Sequence, residues 1–517
     1  MAVAGNLPGV AGPAGQGSPA PAPDARRWIG LAAALSGGFL HVFNFFVVNI
    51  ALPSIAHGLG ATAGDAQFLI AGYGLAYAVL LITAGRLGDR FGRKRIFLLG
   101  MAGFTLASAL CALAPTADLL IASRVLQGLA AAAMVPQVLA IIQVTFPPAE
   151  RPRALGYFAT SLGLGSIAGQ LLGGVLVGAD LFGLGWRAIF LVDVPVGLAA
   201  LAIAARLLPE SRSAGVRLDL GGVALLSLGL FLLIFPLIEG RQAGWPGWVG
   251  ASLLAAAFLL AVFIAYERAV TARGATPLLD LALFRNPSFV IGLVMVVAFY
   301  GGQAAFFLVF TVFLQQGFGF TSLTAAYAFL PFACGFSGAS ALAARAARLV
   351  GSGILALGSS LMIAELISLI VIARLAEATL PWVGLVPAFF VYGIGQGLVM
   401  SPLVHTVLGR IASRDAGIAA GTMSTVQQIA LALGVAVIGG FFFDRLGASP
   451  DRHAFVMALA ATLLCNIALA ATTIVLSLLV RRRPAVAHPH LPSPPVTPPA
   501  GPSGSASPTR SACRSPG

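Results

Sequence analysis

Fourteen long apolar runs divide this chain, and each is near the ~20 residues a helix needs to cross a bilayer. They fall at about 28–52, 66–87, 96–115, 119–144, 154–178, 187–208, 219–238, 248–267, 287–315, 322–344, 353–375, 383–408, 416–442 and 454–480. A soluble domain usually carries roughly 25% charged residues. This chain has 9%, against 58% apolar residues over 517 positions. No soluble packing scheme hides that much apolar surface, so lipid must solvate it.

The charges then report topology. The net charge is +13, from 30 Lys+Arg and 17 Asp+Glu. With a cytoplasmic N-terminus, five basic residues face outside (Arg187, Arg241, Arg374, Arg445 and Arg452) and Arg124 lies within a span. All the others fall on the inside. This is the positive-inside pattern, and it places both termini in the cytoplasm of a cell (plasma) membrane protein. No soluble segment is large enough to form the folded basic face that a nucleic-acid partner would need. The four cysteines, Cys111, Cys334, Cys465 and Cys513, have neither metal spacing nor the look of a disulfide framework. Residues 1–27 and 481–517 are rich in Pro, Gly and Ala or Ser, lack apolar periodicity and are expected to be disordered. The first 27 residues hold no apolar h-region, so no cleaved signal peptide is expected.

The spans group as six, two and six. The expected division is an N-terminal six-helix bundle at 28–208, two additional helices with their loops at 209–286, and a C-terminal six-helix bundle at 287–480. The loop after the second span, "GRLGDRFGRKR" (Gly85–Arg95), has a faint echo after the tenth: Arg86, Asp89 and Gly92 align without gaps with Arg345, Arg348 and Gly351. Internal similarity of this kind is what a repeat-built transporter leaves behind.

Several motifs carry a family resemblance. The Gly85–Arg95 loop resembles the loop 2–3 signature of the major facilitator superfamily. "RVLQGLAAAAMVP" (Arg124–Pro136) resembles its fourth-helix motif, and "LGLGSIAGQLLGG" (Leu162–Gly174) resembles the glycine-rich fifth-helix motif of its antiporters. "VNIALPSI" (Val48–Ile55), "GWRAIFLVDVPVGL" (Gly185–Leu198) and "PLLDLALFRNPSF" (Pro277–Phe289) resemble the end of the first helix, the start of the sixth and the approach to the ninth. With fourteen spans, the combination resembles the fourteen-helix drug:proton antiporter family. The resemblance implies an all-α membrane protein in which two bundles rock about a central cavity to give alternating access. It implies export of small amphipathic compounds, such as antibiotics or toxic metabolites, driven by protons. Its partners would be a small-molecule substrate, protons and membrane lipids, with no cofactor and no metal.

Each motif also has a physical reading. In the loop, which opens at Gly85, Arg90, Arg93 and their basic neighbours hold the segment at the anionic inner surface, while Gly88 and Gly92 allow a tight turn. Asp89 is the odd residue there, since a topology signal needs no acid. An acid at a helix end can dock on the positive end of another helix, and the resemblance implies that Asp89 latches the two bundles in one state. Arg124, in an apolar span, is costly unless it faces a cavity or partner or snorkels to the interface. The resemblance makes it a cavity residue that tunes proton movement, with Gln127 sharing its hydrogen bonds. Gly165, Gly169 and Gly173 lie four apart on one helix face, where another backbone can approach closely. The family usually has Pro where this chain has Gln170.

A larger departure sits in the first span. The family often carries Asp five residues before the Asn of "VNIALP", and here that position is Asn44, which cannot carry a titrating proton. His41, one turn before Asn44, and Glu365, mid-span in "LMIAELISLI", are the candidate proton carriers. Asp193 lies early in the sixth span, where the family often has Asn. On the ninth span Phe299, Tyr300, Gln303, Phe306, Phe307 and Phe310 could line a greasy cavity with a polar contact. An uptake symporter or facilitator of the same fold is one alternative, and a transport-dead membrane sensor another. No constellation of nucleophile, base or metal ligands suggests an enzyme, and no G-x-x-x-x-G-K-[ST] signature suggests ATP as the energy source.

Overall fold

The computed structural model describes residues 25–482 apart from 148, 181–182, 213–218, 275–276, 280, 377–379, 381, 410, 412–415 and 448–450. The two segments expected to be disordered, 1–27 and 481–517, lie outside the described residues save for helix ends at 25–27 and 481–482. Inside lipid, every backbone N–H and C=O must be satisfied within its own segment, and the described residues contain helices and no strands.

The first spans are α1 (Ala25–Leu59), α2 (Ala63–Phe91), α3 (Arg93–Leu113), α4 (Ala117–Thr145) and α5 (Arg151–Gly178). The sixth is broken into α6 (Ala188–Leu191) and α7 (Asp193–Leu207). Pro195 explains the break, because it has no N–H to give the Leu191 carbonyl one turn back. The two additional helices are α8 (Leu220–Gln242) and α9 (Gly247–Ala272). The second half comprises α10 (Pro287–Val312), α11 (Ser322–Val350), α12 (Ile354–Leu375) and α13 (Trp382–Leu408). It continues with α14 (Ala416–Leu433), α15 (Gly440–Leu446) and α16 (Arg452–Arg482). A π-helical segment, Gly434–Gly439, joins α14 to α15 into one span. Among the described residues fourteen spans result, all long and apolar enough to cross a membrane. α1 runs about two turns further than its apolar pattern suggests, through Pro53 to Leu59.

The packing repeats between the halves. α1 lies on α5 and α7, α4 on α2 and α3, and α3 on α7. In the second half α10 lies on α14 and α16, α13 on α11 and α12, and α12 on α16. The halves meet through α5 against α11 and through α2 against α14, which are the same two positions exchanged. The loop echo noted in the sequence fits this repetition, since Gly92 and Gly351 both take positive φ (114° and 62°) between the second and third helices of their halves.

Where α1 meets α2, the halves are pinned together. Gln315 Nε2 donates to the Ile50 carbonyl at 2.8 Å, and the Ser54 and Ser322 hydroxyls meet at 3.3 Å. Gly174 and Gly178 of α5 lie against Ser322, Leu323 and Ala326 of α11. At the opposite end, Arg86 donates to the Pro277 carbonyl and ties α2 to the segment after α9.

Candidate functional site

The first half encloses a chain of polar side chains. Arg124 on α4 is buried rather than snorkelling to an interface. Its Nε donates to the Leu69 carbonyl of α2 at 3.1 Å, its Nη1 donates to Gln127 Oε1, and its guanidinium lies 4.1 Å from the centre of the Tyr73 ring. Gln127 Nε2 donates to Asn44 Oδ1 at 3.1 Å and to Ser108 Oγ at 2.7 Å. Asn44 Nδ2 donates to the Leu40 carbonyl and, at 2.9 Å, to Asp193 Oδ2. Ser108 Oγ donates to the same oxygen at 3.1 Å. Four helices, α1, α3, α4 and α7, thus converge on one carboxylate. Arg124, Gln127, Asn44, Ser108 and Asp193 are all buried.

Arg has donors only. Gln127 must therefore turn its oxygen to Arg124, which turns its amide nitrogen to Asn44 and Ser108. Asn44 must accept there, so its own nitrogen faces Asp193. Both amides are fixed in orientation by the guanidinium at the head of the chain.

His41 forms a side branch. Its Nδ1 meets the Tyr73 hydroxyl at 2.6 Å, and its ring stacks on Tyr77 with centroids 4.1 Å apart. It reaches the chain only through Tyr73. Glu365 is not the most buried carboxylate that its mid-span position suggested. α12 buries a stripe through Gly358, Met362, Leu366 and Leu369. Glu365 lies at the edge of that stripe and is left partly exposed, while Asp193 and Glu267 are fully buried.

In the loop motif, Asp89 accepts from Arg93 Nε at 3.1 Å and Nη2 at 2.7 Å, a pairing within its own loop. The Arg93 N–H donates to the Ser211 carbonyl. Glu210 accepts from the Lys94 N–H and pairs with Arg95 at 3.7 Å. Gly92, at φ 114°, lies close against the Glu210 carboxylate, where a side chain would collide. Gly85 has open space around it, and Arg90 lies over Phe91 at 5.3 Å. Gly88 sits against the Gln137 side chain, which donates to the Ala84 carbonyl at 2.8 Å. Asp219, just ahead of α8, is held below the ordinary carboxylate range. Burial acts the other way there but is outweighed by donation from the Gly222 N–H and the Tyr266 hydroxyl.

The glycine stripe of α5 packs on α1. A Cβ at Gly165 would stand 2.7 Å from the Phe39 carbonyl, one at Gly169 2.6 Å from that of Phe43, and one at Gly173 3.0 Å from Val47. Gln170 is buried beside the stripe, its Oε1 without a hydrogen-bond partner among the described residues.

On α10, Phe299, Tyr300, Gln303 and Phe307 are all buried. Gln303 Nε2 donates to Gln396 Oε1 at 2.8 Å. Phe306 and Phe310 pack with Phe329, Phe389 and Tyr392. Phe307 meets Phe46 of α1 across the halves at 5.1 Å. Phe299 borders a void of about 10 Å³ with Ser359, Met362, Tyr392 and Asn466, room for about one water. In this conformation the aromatic wall is closed.

Sequence reasoning noticed Asp193 but did not place it with Asn44, and it missed Ser108. An acid inside "IFLVDVPVGL" was the available signal for the first. A lone serine in an apolar span gives none.

The chain matches the Major Facilitator Superfamily over residues 34–435. It is 39% identical, over 84% of its length and 76% of the relative's, to the "Probable actinorhodin transporter" of Streptomyces coelicolor. It is 37% identical to a puromycin resistance protein of Streptomyces alboniger, over 80% of this chain and 82% of that one. A tetracenomycin C resistance and export protein of Streptomyces glaucescens is 34% identical over 83% and 78%. Among solved structures, an inward-facing bacterial homologue of the human lysosomal transporter Spinster superposes with a TM-score of 0.61 at 17% identity, covering 89% of this chain and 99% of that one. A peptide transporter, POT, gives 0.64 at 15%, covering 87% and 94%. Fourteen spans, two halves packed alike and these matches lead to one conclusion: the chain is a multi-pass membrane transporter that belongs to the major facilitator superfamily.

Proposed function

We propose that this protein exports small amphipathic compounds of the antibiotic class, in exchange for protons, by alternating access. The names of its relatives support the substrate class. The observation that carries the coupling is the hydrogen-bonded chain from Arg124 to Asp193. Charge held in the interior of a membrane protein is expensive, and packing alone gives no reason for it. The positive-inside pattern supports a plasma-membrane orientation with both termini in the cytoplasm.

In this reading 28–208 and 287–480 are the moving bundles, and 209–286 rides with the first through Arg86 and the segment after α9. The aromatic wall of α10, with Phe299, Tyr300, Gln303 and Phe307, opens toward substrate when the halves part at Phe46 and Phe307. Asp89 exchanges its local partner Arg93 for the other half in the opposite state.

Inverted membrane vesicles test the reading. With an imposed proton gradient, vesicles containing the protein should accumulate puromycin, tetracenomycin C or the lipophilic dye ethidium, and a protonophore should abolish the uptake. Uptake that ignores the gradient would remove proton antiport and leave a facilitator. His41→Ala and Glu365→Gln, run alongside, report whether either titratable group takes part.

A further inference from the structure

The chain of donors that begins at Arg124 ends on a single atom. Asn44 has no donor to spare: its two hydrogens go to the Leu40 carbonyl and Asp193, and its oxygen accepts from Gln127. Gln127 likewise has both hydrogens placed, on Asn44 and Ser108, and its oxygen accepts from Arg124. Ser108 accepts from Gln127 and donates to Asp193. The chain ends in two donors, Asn44 Nδ2 and Ser108 Oγ, and both are on Asp193 Oδ2. Asp193 Oδ1 is buried and has no hydrogen-bond partner among the described residues. A carboxylate can accept about four hydrogen bonds, so half of the capacity here is unused, in a setting where unsatisfied charge is costly.

We propose that Asp193 carries the coupling proton, and that Asn44 and Asp193 form one amide–carboxyl pair in which the acid stands on the sixth span and the amide on the first. The inference rests on the antiport reading above and names the group that performs it. The proton adds at Oδ1 from one side of the membrane and leaves from the same atom to the other. Neither step requires breaking any hydrogen bond of the chain, because every donor is on Oδ2.

The groups around the acid make its charge matter to the whole bundle. From α4 the Arg124 guanidinium acts on it, and its own charge is felt by the buried Cys111 thiol of α3 and the Tyr73 hydroxyl of α2. From α1, His41 is held on Tyr73, and among the described residues no hydrogen bond joins it to Asn44 or Asp193. Arg187, ahead of α6, is turned to the Ala114 carbonyl. Among the described residues Arg124 is therefore the one strong cation facing Asp193. With the acid ionised, the two charges balance through the intervening amides. With the acid neutral, Arg124 is a lone buried cation, and a conformation that opens it to water or substrate gains. Protonation thereby biases the equilibrium between states, as coupling requires.

The test uses the full chain in liposomes and two readouts. In infrared difference spectra taken across pH, the wild type should show a protonated-carboxyl band that titrates. Asp193→Asn should lack it, and Glu365→Gln should keep it. In inverted vesicles, Asp193→Asn should reduce gradient-driven puromycin or ethidium uptake to the protonophore level. The exchanged pair Asn44→Asp with Asp193→Asn should restore both the band and the uptake, which also answers the concern that the single variant misfolds. A band and uptake that survive Asp193→Asn, or vanish in Glu365→Gln instead, would overturn the assignment. A wild type whose uptake ignores the gradient, with a band that still disappears in Asp193→Asn, would overturn the antiport reading and leave Asp193 only as a titrating group.

Discussion

At the residue scale, the buried arginine sets the geometry of its neighbours. Removing one member of a buried, hydrogen-bonded charge pair typically costs about 3–5 kcal/mol, because the other charge is left alone. Arg124→Met should therefore lower the thermal unfolding midpoint in detergent as well as stop transport. Arg124→Lys keeps the charge but has no planar fork to hold both the Leu69 carbonyl and Gln127, so it should insert normally and transport poorly. Ser108→Ala removes one donor from Asp193 and one acceptor from Gln127. A stability loss of about 1 kcal/mol is expected in the same unfolding assay. Asp89 is half-exposed and paired within its loop, a contact worth little by itself. Asp89→Asn should leave stability unchanged and slow turnover. Full transport by well-inserted Asp89→Asn would dismiss the latch.

At the scale of the elements, α5 is the helix whose two faces do different work. Gly165, Gly169 and Gly173 fit it to α1 within its own half, and Gly174 and Gly178 fit it to α11 across the halves. Without a hydrophobic drive between helices in lipid, such close backbone approach is a main source of association. Gly169→Ala would place a methyl 2.6 Å from the Phe43 carbonyl and should reduce both yield and transport. Gly163→Ala on the same helix meets nothing within 4 Å. It should behave as wild type or gain up to about 1 kcal/mol from helix propensity. Comparing the two by yield and by uptake separates packing from propensity.

At the scale of the whole molecule, the halves are pinned together near the end where α1 meets α2. A cycle of alternating access must open that end. A Cβ at Gly178 would lie 3.2 Å from the Leu323 Cβ, close to disulfide range. In a background without Cys111, Cys334, Cys465 and Cys513, the pair Gly178→Cys and Leu323→Cys should cross-link under mild oxidation. Uptake should then stop and should return on reduction. Cross-linking without loss of uptake would mean that α5 and α11 stay together throughout transport.

The sequence by itself determined the fourteen spans and the grouping of motifs, because hydrophobic length is a local property that lipid reads span by span. It also exposed the departure at Asn44, since a motif shows what stands in each of its places. It could not show that Asn44 and Asp193, 149 positions apart, touch at 2.9 Å. That contact depends on how α1, α3, α4 and α7 converge, and hydropathy carries no information about which face of one apolar helix meets which face of another. For the same reason Glu365 looked buried at mid-span, and only the packing of α12 on its neighbours shows that it is left partly exposed at the edge of the buried stripe. The tertiary structure decided the partners of the polar residues: in a low-dielectric interior each of them must find a donor or acceptor on another helix, and the packing selects which one.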